Sequence, residues 1–206
     1  MLRGGILIAS VSRSSIVLLS LILAIVIRVC HLPRFDEKGF IGPDSARIIR
    51  QAKLISENGS LPERDGMRSA PLGRLNRYQL TFFPYLIVFL QYVLHLFGIS
   101  LSLERIAVLS PVIFFAFACL MFYFFIKETL GQPVALMSVN IAAVLPVLTT
   151  RTMAGYVDRD ALCLFIGLLS YYLYVKSYHS NDLKHRFLFS AASGFTMGAL
   201  GLTWQG

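Results

Sequence analysis

Gln79-Leu-Thr-Phe-Phe-Pro-Tyr-Leu-Ile-Val-Phe-Leu-Gln-Tyr-Val-Leu-His-Leu-Phe97 is apolar enough to enter a bilayer, yet Pro84, Gln91 and His95 interrupt it. Whether it crosses decides the topology of everything that follows. Around it, hydropathy reads five spans: Ser14 to Cys30, Arg105 to Ile126, Pro133 to Thr150, Ala161 to Val175 and Phe187 to Trp204. Each is near the roughly 20 residues a crossing helix needs, the fourth being the shortest. Suppose the interrupted stretch does not cross and the N-terminus, with Arg3 and Arg13, is cytoplasmic. Lys127 and the cluster Lys176, Lys184, His185 and Arg186 then fall in short cytoplasmic loops, as the positive-inside tendency asks. Asp44 and the Asp158/Asp160 pair then share the outer face. If the stretch crosses, every later loop inverts and these acids end on opposite sides. It is therefore read as a re-entrant or interfacial helix, tolerated where protein or a watery cavity covers its backbone. The expected fold class is all-α, a polytopic transmembrane helical bundle of about five spans. It has a long first outer loop over 32–104 and an acidic outer loop over 151–160.

Composition agrees. Of 206 residues 56% are hydrophobic and 15% charged, with mean hydropathy +0.67, beyond the roughly 45–50% apolar content of ordinary soluble domains. The net charge of +8 does not indicate nucleic acid, because the basic residues are scattered through short inter-helix segments and form no stripe. Cys30, Cys119 and Cys163 lie in apolar runs without a Cys-x-x-Cys pair, so they point to no metal or redox motif. The N-terminal apolar run has no small-x-small cleavage site and reads as an uncleaved signal anchor.

The outer segment Leu32 to Tyr78 carries nine Lys or Arg against six Asp or Glu, a mixed loop that translocates with little regard to charge. Gly42-Pro43-Asp44 reads as a turn into an amphipathic helix, Ala46 to Ile55, bearing Arg47 and Arg50. Asn58-Gly59-Ser60 fits the N-glycosylation acceptor pattern, although Gly59 serves equally as a helix terminator.

Chemistry concentrates in Arg151-Thr-Met-Ala-Gly-Tyr-Val-Asp158-Arg-Asp160. Charges beside a bilayer cost several kcal/mol unless they meet water, a metal or each other, so they mark a site. On a helix Asp158 and Asp160 would diverge by about 200°, whereas in an extended loop, permitted by Gly155, they project to one side. Together with Asp44 they make a hard oxygen set suited to Mg²⁺ or Mn²⁺, which can neutralise a departing diphosphate. The bland alternative is that Asp158 caps the next helix and pairs with Arg151 or Arg159. Tyr171, Tyr172, Tyr174 and Tyr178 read as an interfacial belt, and Trp204 as a belt residue of the outer surface. Arg74 and Arg77 are candidates for contact with a carrier phosphate, or for simple headgroup contact.

The Arg151–Asp160 segment resembles the Arg-[Ser/Thr]-x-[Ala/Ser]-Gly-x-x-Asp-x-[Asp/Glu] motif of the catalytic subunit of oligosaccharyltransferases, which are GT-C glycosyltransferases. Asp44-Ser-Ala-Arg-Ile-Ile-Arg50 resembles that family's first acidic motif, Ala70-Pro-Leu-Gly-Arg74 its Pro-Leu-Gly-Arg element, and Gly201-Leu-Thr-Trp-Gln-Gly206 its Trp-Gly-Gly. Four matches in order are far more specific than one. The resemblance implies a GT-C transmembrane domain, with Asp44 and Asp158 binding the metal and Asp160 either beside it or orienting the acceptor amide. Arg151 would hold the acceptor or the first carboxylate. The implied reaction moves an oligosaccharide from a polyprenyl (di)phosphate carrier to Asn of Asn-x-Ser/Thr, at the extracytoplasmic or lumenal face of the plasma membrane or endoplasmic reticulum. Partners would be the lipid-linked oligosaccharide, an acceptor polypeptide, the bilayer and other membrane subunits.

Some positions depart from the pattern. Ser45 stands where the family often has Pro or Gly, Gln205 replaces the first Gly after the Trp, and Asp160 takes a place many members give to Glu. The third acidic motif and the Trp-Trp-Asp-Tyr-Gly segment of the C-terminal soluble domain are not in residues 1–206. The chain is thus expected to be an N-terminal part, inactive alone. Two other functions fit an acidic outer loop: another GT-C transferase using a polyprenyl-phosphate sugar, and a non-catalytic transport or assembly subunit.

Overall fold

The computed structural model describes residues 2–30, 40–76 and 80–204. The order is α1 (Leu2–Val29), α2 (Pro43–Asn58), β1 (Arg64–Asp65), β2 (Arg74–Leu75), α3 (Phe82–Leu96), α4 (Leu103–Leu130), α5 (Gln132–Val144), α6 (Pro146–Thr152), α7 (Asp160–His179) and α8 (Leu183–Thr203). All five expected spans are helical. Among the described residues, α4 and α7 are each long and apolar enough to cross a membrane, and α5 with α6 makes a third such unit. The apolar part of α1 is Ser15–Val29, and serines and glycines dilute the apolarity of α8, so these two fall short of that measure.

Pro133 to Thr150, expected as one span, is broken by 60° between α5 and α6. Proline at 146 lacks an N–H and clashes with a helical predecessor, so Leu145 takes an extended conformation (φ −61°, ψ 119°) and the axis turns. Gly42 (φ 88°) admits the chain into α2, where Pro43 opens the first turn, and Gly59 (φ 75°) closes it by donating to the Ile55 carbonyl at 2.8 Å.

α3 is 15 residues long, about 22 Å at 1.5 Å per residue, against roughly 30 Å of hydrocarbon. Its Phe83 and Ile87 pack with Ile48, Ile49 and Ala52 of α2 over Leu103, Ile106 and Ala107 of α4. It therefore sits beside α2 at one end of the bundle, as the interrupted apolar pattern predicts. Gln79, where that pattern begins, lies outside the described residues.

A second core joins α1, α4 and α5 through Ala24, Phe115, Cys119, Ala135 and Val139. α4 meets α7 through ring pairs such as Phe117–Phe165 and Phe124–Tyr172. α7 meets α8 through small polar residues, Ser170 and Ser193 exchanging hydroxyl bonds at 3.0 Å, the close approach that small side chains permit. Lys176 pairs with Glu128, and the Ser177 hydroxyl donates to the Arg186 carbonyl at 2.9 Å. At the opposite end of the same helices Arg159 reaches the Thr203 carbonyl. The basic cluster and the acidic segment thus occupy opposite ends of the bundle.

Candidate functional site

The segment between α6 and α7 is a hub of backbone hydrogen bonds. The Ala154 amide donates to the Arg28 carbonyl (2.9 Å), the Gly155 amide to the Val108 carbonyl (2.9 Å), and the Ile41 amide to the Gly155 carbonyl (2.7 Å). Three distant parts of the chain are thereby fastened to one glycine turn. Gly155 has φ 87°, a region disfavoured for side-chain-bearing residues by roughly 1–2 kcal/mol. Ser45 reinforces the junction, its hydroxyl donating to the Ile41 carbonyl at 2.5 Å and lying 3.5 Å from the Gly155 carbonyl. This is why the N-terminal turn of α2, and with it Asp44, stands beside the acidic segment.

Asp158 and Asp160 do not lie together in an extended loop, the arrangement expected from the sequence. Residues 153–159 form a tight turn, with the Tyr156 amide on the Met153 carbonyl and the Asp158 amide on the Tyr156 carbonyl, and Asp160 is the first residue of α7. The Asp158 carboxylate accepts from the adjacent Arg159 amide at 2.7 Å, and no side chain caps α7. A carboxylate at Asp160 suits the positive end of the helix dipole. Asp160 lies within electrostatic reach of Asp158, Arg151, Arg159 and Asp44 together.

Arg151 is brought in by the bend at Pro146. Its guanidinium donates to the Tyr156 hydroxyl at 2.7 Å and stands 3.6 Å from the Asp160 carboxylate. Tyr156 is a site residue that sequence reading missed; its ring lies beside Gly42, 114 residues away, a neighbour the linear order does not show. Beside Arg151 and Asp160 opens a cleft of about 380 Å³ whose lining includes Leu148, Leu164, Leu200 and Trp204.

Each carboxylate of the expected metal set is turned onto an arginine: Asp44 to Arg47 at 2.7 Å, Asp158 towards Arg159 at 3.9 Å, Asp160 towards Arg151. Among the described residues no three His, Cys, Asp or Glu side chains stand close enough to share an ion. The donor set fits Mg²⁺ or Mn²⁺ in chemistry and in sharing one end of the bundle; in spacing the cage is open, because pairing with guanidiniums lowers the repulsion among three like charges. Magnitudes separate the acids. Asp44 is 55% exposed, and an exposed pair such as Asp44–Arg47 contributes about 0–1 kcal/mol, so parting it costs little.

Asp65 is different. It is 1% exposed, receives both forks of Arg50 at 2.6 and 2.7 Å, and accepts from the Met67 amide at 3.0 Å. The Arg50 hydrogen bonds hold its carboxyl below the ordinary range, with burial opposing. Arg50, six residues after Asp44, is about 240° round the helix from it and serves the hairpin instead. Arg74 is exposed on β2, in register with Asp65; burial, then Arg74 and Arg47, depress the neighbouring Arg68 guanidinium, so these three form one basic group. Arg77 lies outside the described residues.

The family model described as "Oligosaccharyl transferase STT3, N-terminal" matches residues 49–206. A rice (Oryza sativa subsp. japonica) protein, dolichyl-diphosphooligosaccharide–protein glycosyltransferase subunit STT3A, is 34% identical over 106 residues, 52% of this chain and 13% of that protein. The apo oligosaccharyltransferase of Archaeoglobus fulgidus superposes with TM-score 0.79 at 17% identity, over 93% of this chain and 24% of that one. The same archaeal enzyme with an inhibitory peptide and a dolichol-phosphate gives 0.74 at 18% identity, over 93% and 23%. The chain therefore spans no more than a quarter of the length of these relatives, and the structural likeness is one of fold.

Proposed function

The chain belongs to the STT3 oligosaccharyl transferase family, and we propose that the protein of which it forms the N-terminal membrane part transfers an oligosaccharide from a polyprenyl (di)phosphate carrier to Asn of Asn-x-Ser/Thr. The observation that carries this reading is the Gly155 junction, which ties the entry of α2, where Asp44 lies, to the turn that carries Asp158 and leads to Asp160, 114 and more residues later.

An amide nitrogen is a poor nucleophile because its lone pair is delocalised into the carbonyl. Asp160 and Arg151, which line the 380 Å³ cleft, would contact the acceptor, and a carboxylate on the amide hydrogens would loosen that conjugation. Asp44, Asp158 and Asp160 would hold Mg²⁺ or Mn²⁺, which when bound stabilises the departing phosphate. The apolar walls of the cleft, Leu148, Leu164 and Leu200, suit an isoprenoid chain, and the Arg47, Arg68 and Arg74 group supplies positive charge for its phosphates. Arg77 is proposed for the same task. The acidic end of the bundle faces the lumen or the cell exterior, with the basic cluster facing the cytoplasm.

The test uses the full-length protein in proteoliposomes with a polyprenyl-diphosphate oligosaccharide and a fluorescent Asn-x-Thr peptide. Metal-dependent glycopeptide formation, lost in Asp44→Ala and Asp158→Ala, is expected. Transfer that survives both substitutions sinks the reading and favours a non-catalytic role for the acids.

A further inference from the structure

The buried charge at Arg28, one residue from the end of α1, has no part in the chemistry above. Arg28 is wholly buried. Its Nε donates to the Thr152 hydroxyl at 2.7 Å, its Nη1 to the carbonyls of Ala143 (2.9 Å) and Ala24 (3.0 Å), and its guanidinium carbon lies 3.5 Å from the Phe115 ring centroid. Nη2 finds no hydrogen-bond partner among the described residues. Desolvating a guanidinium and leaving one of its nitrogens without a hydrogen-bond partner is costly, more than packing alone requires at this place. What it connects is specific.

Ala143 lies at the end of α5 and Thr152 at the end of α6, on either side of the Pro146 break. The break leaves the two helices without a continuous ladder, so their angle has to be held by something else. Arg28 spans it, one nitrogen on each helix. Thr152 is itself fixed, its hydroxyl donating to the Leu148 carbonyl at 2.6 Å. The residue next to Thr152 is Arg151, and two residues on, the Ala154 amide is bound by the Arg28 carbonyl. Main chain and side chain of one residue thus grip both ends of the Thr152–Ala154 corner.

We infer that Arg28 is a positioning residue for the proposed transfer site, fixing the angle of α6 and thereby the placement of Arg151 against Asp160 and of the Gly155 turn. The inference rests on the functional reading above, but the geometry it asserts is measurable without catalysis.

The test compares Thr152→Ser, Thr152→Val and Arg28→Lys in the full-length protein. Serine keeps the hydroxyl and loses a methyl; valine keeps the shape and loses the acceptor. If Thr152 serves as the anchor of Arg28, valine lowers kcat at saturating peptide and lipid about 10-fold or more while serine stays within about 3-fold, since misplacement of near 1 Å can cost as much as 100-fold. If the corner only fills space, valine is the better tolerated of the two, and the inference is overturned. Arg28→Lys, which keeps the charge and loses the fork, is expected to resemble valine at 152. Hydrogen exchange supplies the second readout: faster exchange of the Ala154 and Gly155 amides in Thr152→Val, with α4 and α7 unchanged, supports the assignment. Unchanged exchange at those two amides overturns it, whatever the activity. If the wild-type protein transfers nothing and Thr152→Val still speeds exchange at the Ala154 and Gly155 amides, the functional reading is refuted and the clamp stands.

Discussion

The Ile41 amide donates to the Gly155 carbonyl across 2.7 Å, joining the entry of α2 to the turn before α7. The two partners stand 114 residues apart along the chain, so only the fold brings them together. Because the Gly155 amide is simultaneously spent on Val108, the turn has no freedom to slide without breaking one of the two bonds.

Gly155→Ala is therefore expected to be a selective lesion. A φ of 87° costs an alanine about 1–2 kcal/mol, which lowers thermal stability in detergent by a modest amount. Transfer should fall much further, because relaxing that strain moves the Asp158 and Asp160 carboxylates relative to Asp44. Measuring both on one preparation decides it: activity that declines only in step with the melting temperature would show that the turn is structural alone.

Arg47→Ala separates pairing from binding at Asp44. The exposed Asp44–Arg47 pair contributes about 0–1 kcal/mol, so stability should scarcely change. If Asp44 holds the cation as proposed, removing the guanidinium paired with it should lower the Mn²⁺ concentration for half-maximal transfer, while the KM for the carrier rises with the loss of one of the three clustered arginines. A raised Mn²⁺ requirement would count against a cation at Asp44.

The Arg50–Asp65 pair predicts acid sensitivity of the β1–β2 hairpin. Hydrogen bonding to Arg50 depresses the folded-state Asp65 carboxyl below its unfolded value, so its stabilisation is present above about pH 4 and is lost as pH falls through the lower folded value. No change is expected between pH 5 and 8 from this group. Truncation should be asymmetric: Arg50→Ala strands a carboxylate that is 1% exposed, costing about 3 kcal/mol, whereas Asp65→Ala leaves a guanidinium that reaches water and costs less. Equal losses, read from limited proteolysis of residues 60–76 across pH, would contradict this account.

Much of the bundle was readable because membrane helices announce themselves by length and apolarity, and the stretch that Pro84, Gln91 and His95 interrupt is a helix of only 15 residues, α3. The break at Pro146 was also written in the sequence, yet hydropathy averages over a window and does not register one residue's missing N–H. At the site, side of the bundle was legible from the alternation of spans and basic loops. Which acid is spent on a structural pair was not. Asp65 and Asp44 look alike in a list of loop carboxylates, and only tertiary burial tells them apart. Arg28 carried a visible signal, a charge inside an apolar run, which by default marks function.

Pro146→Ala probes the same corner from the other side. Alanine supplies an amide and removes the ring clash, so one ladder through α5 and α6 is favoured locally and set against the loss of the buried Arg28 bonds, and stability should change little or fall. Straightening a 60° bend carries Arg151 away from Tyr156 and Asp160, and transfer should fall by about 10-fold or more, as expected for a misplaced site residue. Spin labels at Val134 and Thr150, both exposed, report the angle: a straight helix lengthens their separation by about 3 Å at 1.5 Å per residue. If the distance grows and transfer persists, Arg151 is not needed where the bend puts it. If the distance stays the same, the Arg28 bonds to Ala143 and Thr152 are holding the angle without the proline.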